Sequence, residues 1–391
     1  MMALERKPTY SFSETMMLNT KALSAALLCL LGTGAAFCQG PGPNPPPNVF
    51  NDYKYDFFTL PNGATGNLTV INNFDVVAGT YYPTDPCCAA SASGTGYVRY
   101  PGGKIVIFSI ANATAVSMTI SGLNDRGEAL GYYTDKTTNN TVGFIRYPDG
   151  KIKTLALGGA TESTIPTSIN NEGNILGILY TSNTNGPDVP FLRYPDGQYL
   201  TFSVADASAI ETENINDHGV ALGSYFCANS EGGVCGFYGK PGGTITTFSY
   251  PPNGMIPFQI NNRGVIAGVA FLAPTGEDYF IRKPDGKMIL FGLNKVANFE
   301  SIETDLISIN DEDEAIGAYS IFIEPMGSPS GGQGYSYDFI RSPDGKISYY
   351  DPPNSPGTLL GDVINNRGVI AGRVVAPSGN GLFLLTPKHC K

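Results

Sequence analysis

One nine-residue block recurs seven times along this chain and limits what it can fold into more than any other feature. The block has the form Ile-Asn-(Asn/Asp)-x-Gly-x-x-x-Gly, with departures. It begins at Ile71 (INNFDVVAG), Leu123 (LNDRGEALG), Ile169 (INNEGNILG), Ile215 (INDHGVALG), Ile260 (INNRGVIAG), Ile309 (INDEDEAIG) and Ile364 (INNRGVIAG). Successive starts lie 52, 46, 46, 45, 49 and 55 residues apart. A second block follows each of the first six: YVRYPGGKI from Tyr97, FIRYPDGKI from Phe144, FLRYPDGQY from Phe191, FYGKPGGTI from Phe237, FIRKPDGKM from Phe280 and FIRSPDGKI from Phe339. A period of this length marks a protein built from stacked supersecondary units.

Each unit reads as about four short strands. The Asn-x-x-Gly stretch is a tight turn, since Asn and Asp bond nearby backbone and Gly tolerates positive φ. The run after it alternates toward a strand, with its second Gly where another backbone comes close. Pro-Asp-Gly is a second turn, joining the Phe-Ile-Arg-Tyr strand to a Lys-Ile-x-x-Phe strand as a hairpin. No segment shows a helical stripe. Four-stranded units of this size are propeller blades.

The two ends support a closed ring. The seventh unit stops at GLFLLTP without its Lys-Ile-x-x-Phe strand, and a segment resembling that strand, YKYDFFTLPNG, occupies residues 53–63. An amino-terminal strand completing the last blade hides two open sheet edges. An open β-solenoid leaves the split unit unexplained. The expected fold is therefore all-β: a seven-bladed β-propeller of four-stranded blades over residues 53–387, closed by an N-terminal strand, with a short tail at 388–391.

The Ile-Asn-Asn-x-Gly-x-Ile-x-Gly block, with the Phe-centred strand and turn after it, resembles the HAF-repeat "extracellular repeat" proteins over residues 53–387. The Phe of that family's His-Ala-Phe tripeptide is kept at Phe144, Phe237, Phe280, Phe339 and Phe383. Gly143 and Gly236 precede it in two units, and Val142 and Cys235 stand where the family has His. The resemblance implies a propeller-like repeat fold and export. It implies no defined reaction.

The amino terminus agrees with export. Residues 1–38 read as a secretory signal, with Met16 or Met17 as alternative starts: Lys21 supplies the positive end and an apolar run of ten residues (22–31) precedes small residues. Ten helical residues span about 15 Å, too few to cross a bilayer. Residues 39–52 are a Pro-rich spacer. A secreted, extracellular or periplasmic location is expected, with no transmembrane segment.

The chain carries 24 basic and 34 acidic residues, a net charge of −10, and no basic run, which argues against nucleic acid as a partner. There are 7 Cys and 2 His. Cys227 and Cys235 flank a Gly-containing loop between two strand-like runs and are expected to form a disulfide. The pairing of Cys38, Cys87, Cys88 and Cys390 stays open. With no CxxC pair and so few His, no metal site and no cofactor are expected.

Chemistry is sparse. No G-x-S-x-G, H-E-x-x-H or P-loop pattern occurs, so no catalytic residue is assigned. His218 occupies a variable turn position and is expected to be exposed. The acidic run at 310–314 reads as a solvated turn. Arg99, Arg146, Arg193, Arg282 and Arg341 recur in the Phe-x-Arg strand and could form an anion-binding belt, or pair within the scaffold. Where the repeat is broken, Glu211, Glu213, Asp305 and Asp362 replace uncharged residues on the strand leading into the block. If the units superpose, they could gather at one propeller mouth to bind a ligand or act as acid and base. Long insertions at 82–96 and 321–337 could line a binding face. The expected function is a binding module for a polysaccharide or protein partner. The alternatives are a polymer-acting hydrolase or lyase using carboxylates, and a structural matrix protein.

Overall fold

The computed structural model describes residues 48–82, 94–114, 117–157, 162–181, 188–227, 233–251, 254–272, 277–291, 301–304, 308–323, 333–350, 358–375 and 381–388. The predicted signal, the centres of both long insertions, Asp305 and the four cysteines of open pairing lie outside these residues. Seven antiparallel sheets surround one axis, a seven-bladed β-propeller. Blades 1 to 6 begin at Thr65, Thr119, Glu162, Ala207, Met255 and Ser301. Blade 4 shows the plan: Ala207–Ile215 innermost, then Ala221–Cys227, Val234–Gly239 and Ile245–Phe248 outermost.

Blade 7 is assembled from both ends of the chain. Thr358–Ile364, Ile370–Val375 and Gly381–Pro387 supply three strands, and Tyr53–Phe58 pairs antiparallel with the third, from Tyr53 opposite Pro387 to Phe58 opposite Leu382. The ring closes through hydrogen bonds between its termini, as the split seventh unit requires.

The block's second Gly lets the blade pack. At Gly223 an added Cβ would press on the Glu211 carbonyl oxygen of the innermost strand and on the Phe237 ring of the third. Phe144, Phe191, Phe237, Phe280 and Phe383 are wholly buried at this place in their blades, and Tyr97 takes it in blade 1. The repeated Phe is thus a core knob that needs a bare backbone to rest on.

The innermost strands carry a bulge two residues before the block. Thr212 pairs with Gly223 and Asn214 with Leu222, leaving Glu213 as the extra residue; Thr69, Ser121, Thr167 and Asp362 are extra in their own blades. A bulge interrupts the strict alternation of side chains, which corrects the simple period-2 reading of this strand. Cys227 and Cys235 form a disulfide, with Cα atoms 5.8 Å apart, linking the second and third strands of blade 4.

Candidate functional site

The turns of the seven blocks converge on one mouth of the axial channel, and two closed hydrogen-bond rings hold them there. In the first ring, the first Asn of each block donates from Nδ2 to the backbone oxygen of the same Asn in the next blade. The sequence runs Asn72 to Asn124, Asn170, Asn216, Asn261, Asn310, Asn365 and back to Asn72, at 2.9–3.2 Å. The Oδ1 of each accepts the amide four residues on within its own turn, as at Val220 and Val265. These seven side chains are buried, and every one joins its own turn to its neighbour's.

The second ring uses the next residue. Its backbone N–H donates to Oδ1 of the equivalent side chain in the following blade, seven times, at 2.7–2.9 Å. Asn and Asp alternate around it: Asn73, Asp125, Asn171, Asp217, Asn262, Asp311, Asn366. The alternation lets amide meet carboxylate. Asn171 Nδ2 donates to Asp125 and Asp217, and Asn262 Nδ2 donates to Asp217 and Asp311, at 2.8–3.0 Å. Hydrogen bonds to a charged acceptor are the stronger kind.

Seven is odd, so one junction must break the alternation. It falls between blades 7 and 1, where Asn366 meets Asn73. Asn73 Nδ2 donates only to Asp125, and Asn366 Nδ2 only to Asp311. An ion pair reinforces this junction. Arg367 Nη1 lies 2.8 Å from Asp75 Oδ2, and Asn365 Nδ2 donates to Asp75 Oδ1. Asp75 occupies the block's glycine position and holds φ +58° there, a conformation Asp tolerates better than most residues. Asp313 repeats the device in blade 6, at φ +62° and 3.4 Å from Arg263. The run 310–314 is therefore not a solvated acidic turn: Asp311 belongs to the ring, Asp313 pairs with Arg263, and Glu314 is buried.

The channel holds an open cavity of about 220 Å³, lined by residues of both rings, by Ser121, Ser168, Asn214, Gln259 and Ser308 on blades 2 to 6 and by Val70 and Val363 on blades 1 and 7. At its rim the turn tips are Phe74, Arg126, Glu172, His218, Arg263, Glu312 and Arg367. Phe74 is 61% exposed, the most exposed of the large apolar side chains described. His218 is exposed, as its turn position implied.

The predicted site residues are placed elsewhere. Glu211 and Glu213 come together on the innermost strand of blade 4. Burial, and secondly the charge of Glu211, push the Glu213 carboxyl up to about 8. The same group of residues includes Tyr180, whose hydroxyl is raised by burial and then by Glu211, Asp188, Tyr132 and Glu213; burial lifts Asp188 to about 6. Asp362 is not part of this group. It lies in blade 7, 3.7 Å from Arg373 and near the buried Tyr97 of blade 1. Among the described residues, Asp362 on blade 7 is thus apart from Glu211 and Glu213 on blade 4, and these three do not gather at one mouth.

The five arginines do not make a ligand-facing belt. Arg99, Arg146, Arg193 and Arg341 are buried. Four of the five guanidinium groups lie over an aromatic ring on the preceding blade: Arg99 over Phe58, Arg146 over Phe108, Arg282 over Tyr238 and Phe248, Arg341 over Phe291, at 4.4–5.1 Å. Arg146, Arg193, Arg282 and Arg341 also cap the carbonyl of the next residue, and Arg99 pairs with Asp56 at 2.6 Å. They fasten blade to blade by cation–π contact.

Among the described residues, no group of three or more His, Cys, Asp or Glu could hold a metal ion, and no helix is long and apolar enough to cross a membrane. No protein-family model matches the chain, and no curated protein sequence does. Solved structures match its fold. Virginiamycin B lyase from Staphylococcus aureus is similar with a TM-score of 0.51 and 15% identity, over 85% of this chain and 99% of that one. A puromycin-hydrolyzing peptidase of Mycobacterium tuberculosis is similar with a TM-score of 0.55 and 9% identity, over 91% of this chain and 55% of that one. A puromycin hydrolase gives 0.54 and 12%, over 81% and 51%. The chain spans about half the length of these two hydrolases. Identities this low carry the propeller fold and nothing of the chemistry.

Proposed function

We propose that this protein is an exported β-propeller binding module that takes a polysaccharide or a protein partner at the mouth of its axial channel. The observation that carries the reading is the rim itself, where a polar, concave opening with alternating amides and carboxylates is joined by one exposed phenylalanine. Concave sites with a few convergent polar groups are where propellers and other closed folds take ligands. Export is supported by the signal-like run at residues 16–38 and by the likeness of the repeat to the HAF-repeat proteins. A thermal-shift screen of the protein against polysaccharides, oligosaccharides and peptides tests the reading. A ligand at a hundred times its dissociation constant adds about 2.7 kcal/mol to stability. A reproducible shift with one ligand is the expected result, and no shift across the panel would count against it.

One observation favours a second reading, carboxylate catalysis on a polymer. Glu213, whose carboxyl burial and the charge of Glu211 push up to about 8, stands beside Glu211, and a carboxyl raised in this way next to a second one can serve as the acid of a pair. Glu213→Gln should abolish any turnover found on the ligand from the screen while leaving its binding intact.

A further inference from the structure

The odd junction is the one place where the rim is not closed on itself. Each amide nitrogen has two N–H groups. At Asn171 and Asn262 both are used on flanking carboxylates. At Asn73 and Asn366 only one is, among the described residues. These two spare donors arise from parity alone and fall on adjacent blades. Asn366 is exposed and Asn73 half-buried, so ligand can reach both. Next to Asn73 stands Phe74, the only apolar turn tip of the seven, 61% exposed. The tips flanking it, Arg367 and Arg126, are already held by Asp75 and Glu128.

We propose that the Asn366–Asn73 junction is a notch for one pyranose ring of a neutral saccharide. Its hydroxyl oxygens accept from the two spare amides, and its C–H face lies on the Phe74 ring. This deepens the binding-module reading and rests on it.

Three features select this chemistry. A sugar hydroxyl both accepts and donates, which suits spare amide donors set beside carboxylates. Each of Asp125 and Asp311 has three of about four acceptor positions filled. A peptide backbone offers hydroxyl-like duality at no single atom. An aromatic face is electron-rich and attracts the electropositive C–H edge of a ring laid on it. The second ring carries three carboxylates, Asp125, Asp217 and Asp311, and the chain a net charge of −10, which disfavours acidic sugars.

The test is isothermal titration of the full-length protein, and of Phe74→Ala, Asn366→Ala and Glu172→Ala, with neutral oligosaccharides of glucose, galactose, mannose and N-acetylglucosamine. Galacturonate oligomers form the acidic arm. Melting curves confirm that each variant is folded; the Phe74 and Glu172 side chains are at turn tips, so both variants fold. For the neutral sugar that binds, Phe74→Ala and Asn366→Ala should each weaken affinity about tenfold or more, and Glu172→Ala, at the blade 3 tip, less than about twofold. Sugar binding that all three variants retain would overturn the notch and leave the binding-module reading standing. Tighter binding of galacturonate than of any neutral sugar would overturn the choice of ligand class. No binding of any sugar by the unaltered protein would overturn the notch and the saccharide form of the binding reading together, and peptide partners would remain.

Discussion

The junction between blades 4 and 5 and the junction between blades 7 and 1 do the same job with different chemistry. At the first, Asn216 Nδ2 reaches the Asn261 carbonyl, Asp217 N–H reaches Asn262 Oδ1, and Asn262 Nδ2 returns to Asp217. Asn214 Oδ1 adds a fourth bond, from the Ile260 amide. At the second, the backbone bonds of both rings persist, but the second ring's amide–carboxylate bond is missing and Val363 stands where Asn214 does. Arg367 with Asp75, and the strand Tyr53–Phe58, hold the junction instead. The lesson is that a seven-fold ring of paired chemistry cannot be uniform. The place where it fails is fastened by other means, and its leftover donors are open to a ligand.

The largest expected effect comes from breaking the closing device. Deleting residues 1–58 removes the outer strand of blade 7, the Phe58 ring under Arg99 and the Asp56 carboxylate paired with it. An exposed sheet edge invites pairing between chains, so light scattering should show oligomers or aggregates where the full chain is monodisperse. Next is Asn216→Ala at the regular junction. It strands the His218 and Val220 amides and the Asn261 carbonyl. Buried groups left this way should lower stability by about 2–4 kcal/mol in denaturant titrations. Arg367→Ala should cost no more than about 1 kcal/mol, since the arginine is largely exposed and such pairs are weak. A larger loss would mean that the odd junction depends on its ion pair more than on its closing strand.

The Glu213 carboxyl on blade 4 sharpens the contrast by its pH response. Glu213 is raised from 4.5 to about 8, so the folded state keeps its proton where the unfolded chain has lost it. Its contribution is therefore most favourable below pH 4.5 and declines as pH rises toward 8. Glu213→Gln, which cannot ionise, should flatten the stability profile between those values relative to the unaltered protein. Parallel profiles would show that Glu213 is ionised in the folded state.

Much of the fold was legible because its signals are local. Asn-x-x-Gly and Pro-Asp-Gly turns punctuate the strands, and the incomplete last unit with its missing strand at residues 53–58 announces closure. The two rings were harder to see. Read alone, Asn72 or Asn216 bonds its own turn, which is true of Oδ1; the bond of Nδ2 to the next blade needs the ring's geometry. A signal was present even so, in the alternation Asn73, Asp125, Asn171, Asp217, Asn262, Asp311, Asn366 down the repeats. The carboxylates were misplaced because the bulge at Glu213 and Asp362 disturbs strand alternation, and because angular position around an axis is invisible in spacing. The arginines repeat for a packing reason. Phe108, Phe248 and Phe291, over which Arg146, Arg282 and Arg341 lie, are on the Lys-Ile-x-x-Phe strand of the preceding unit, and blade 4, with Gly239 in place of Arg, leaves Phe202 against Phe237.

The most direct measurement compares one substitution at two places: the unfolding free energies of Asn262→Ala and Asn366→Ala. Asn262 spans two carboxylates and Asn366 one. The account predicts that Asn262→Ala loses more stability than Asn366→Ala, by about 1 kcal/mol, the size of one such hydrogen bond. Equal losses, or a larger loss at Asn366, would contradict the claim that the ring is tight everywhere except at its odd junction.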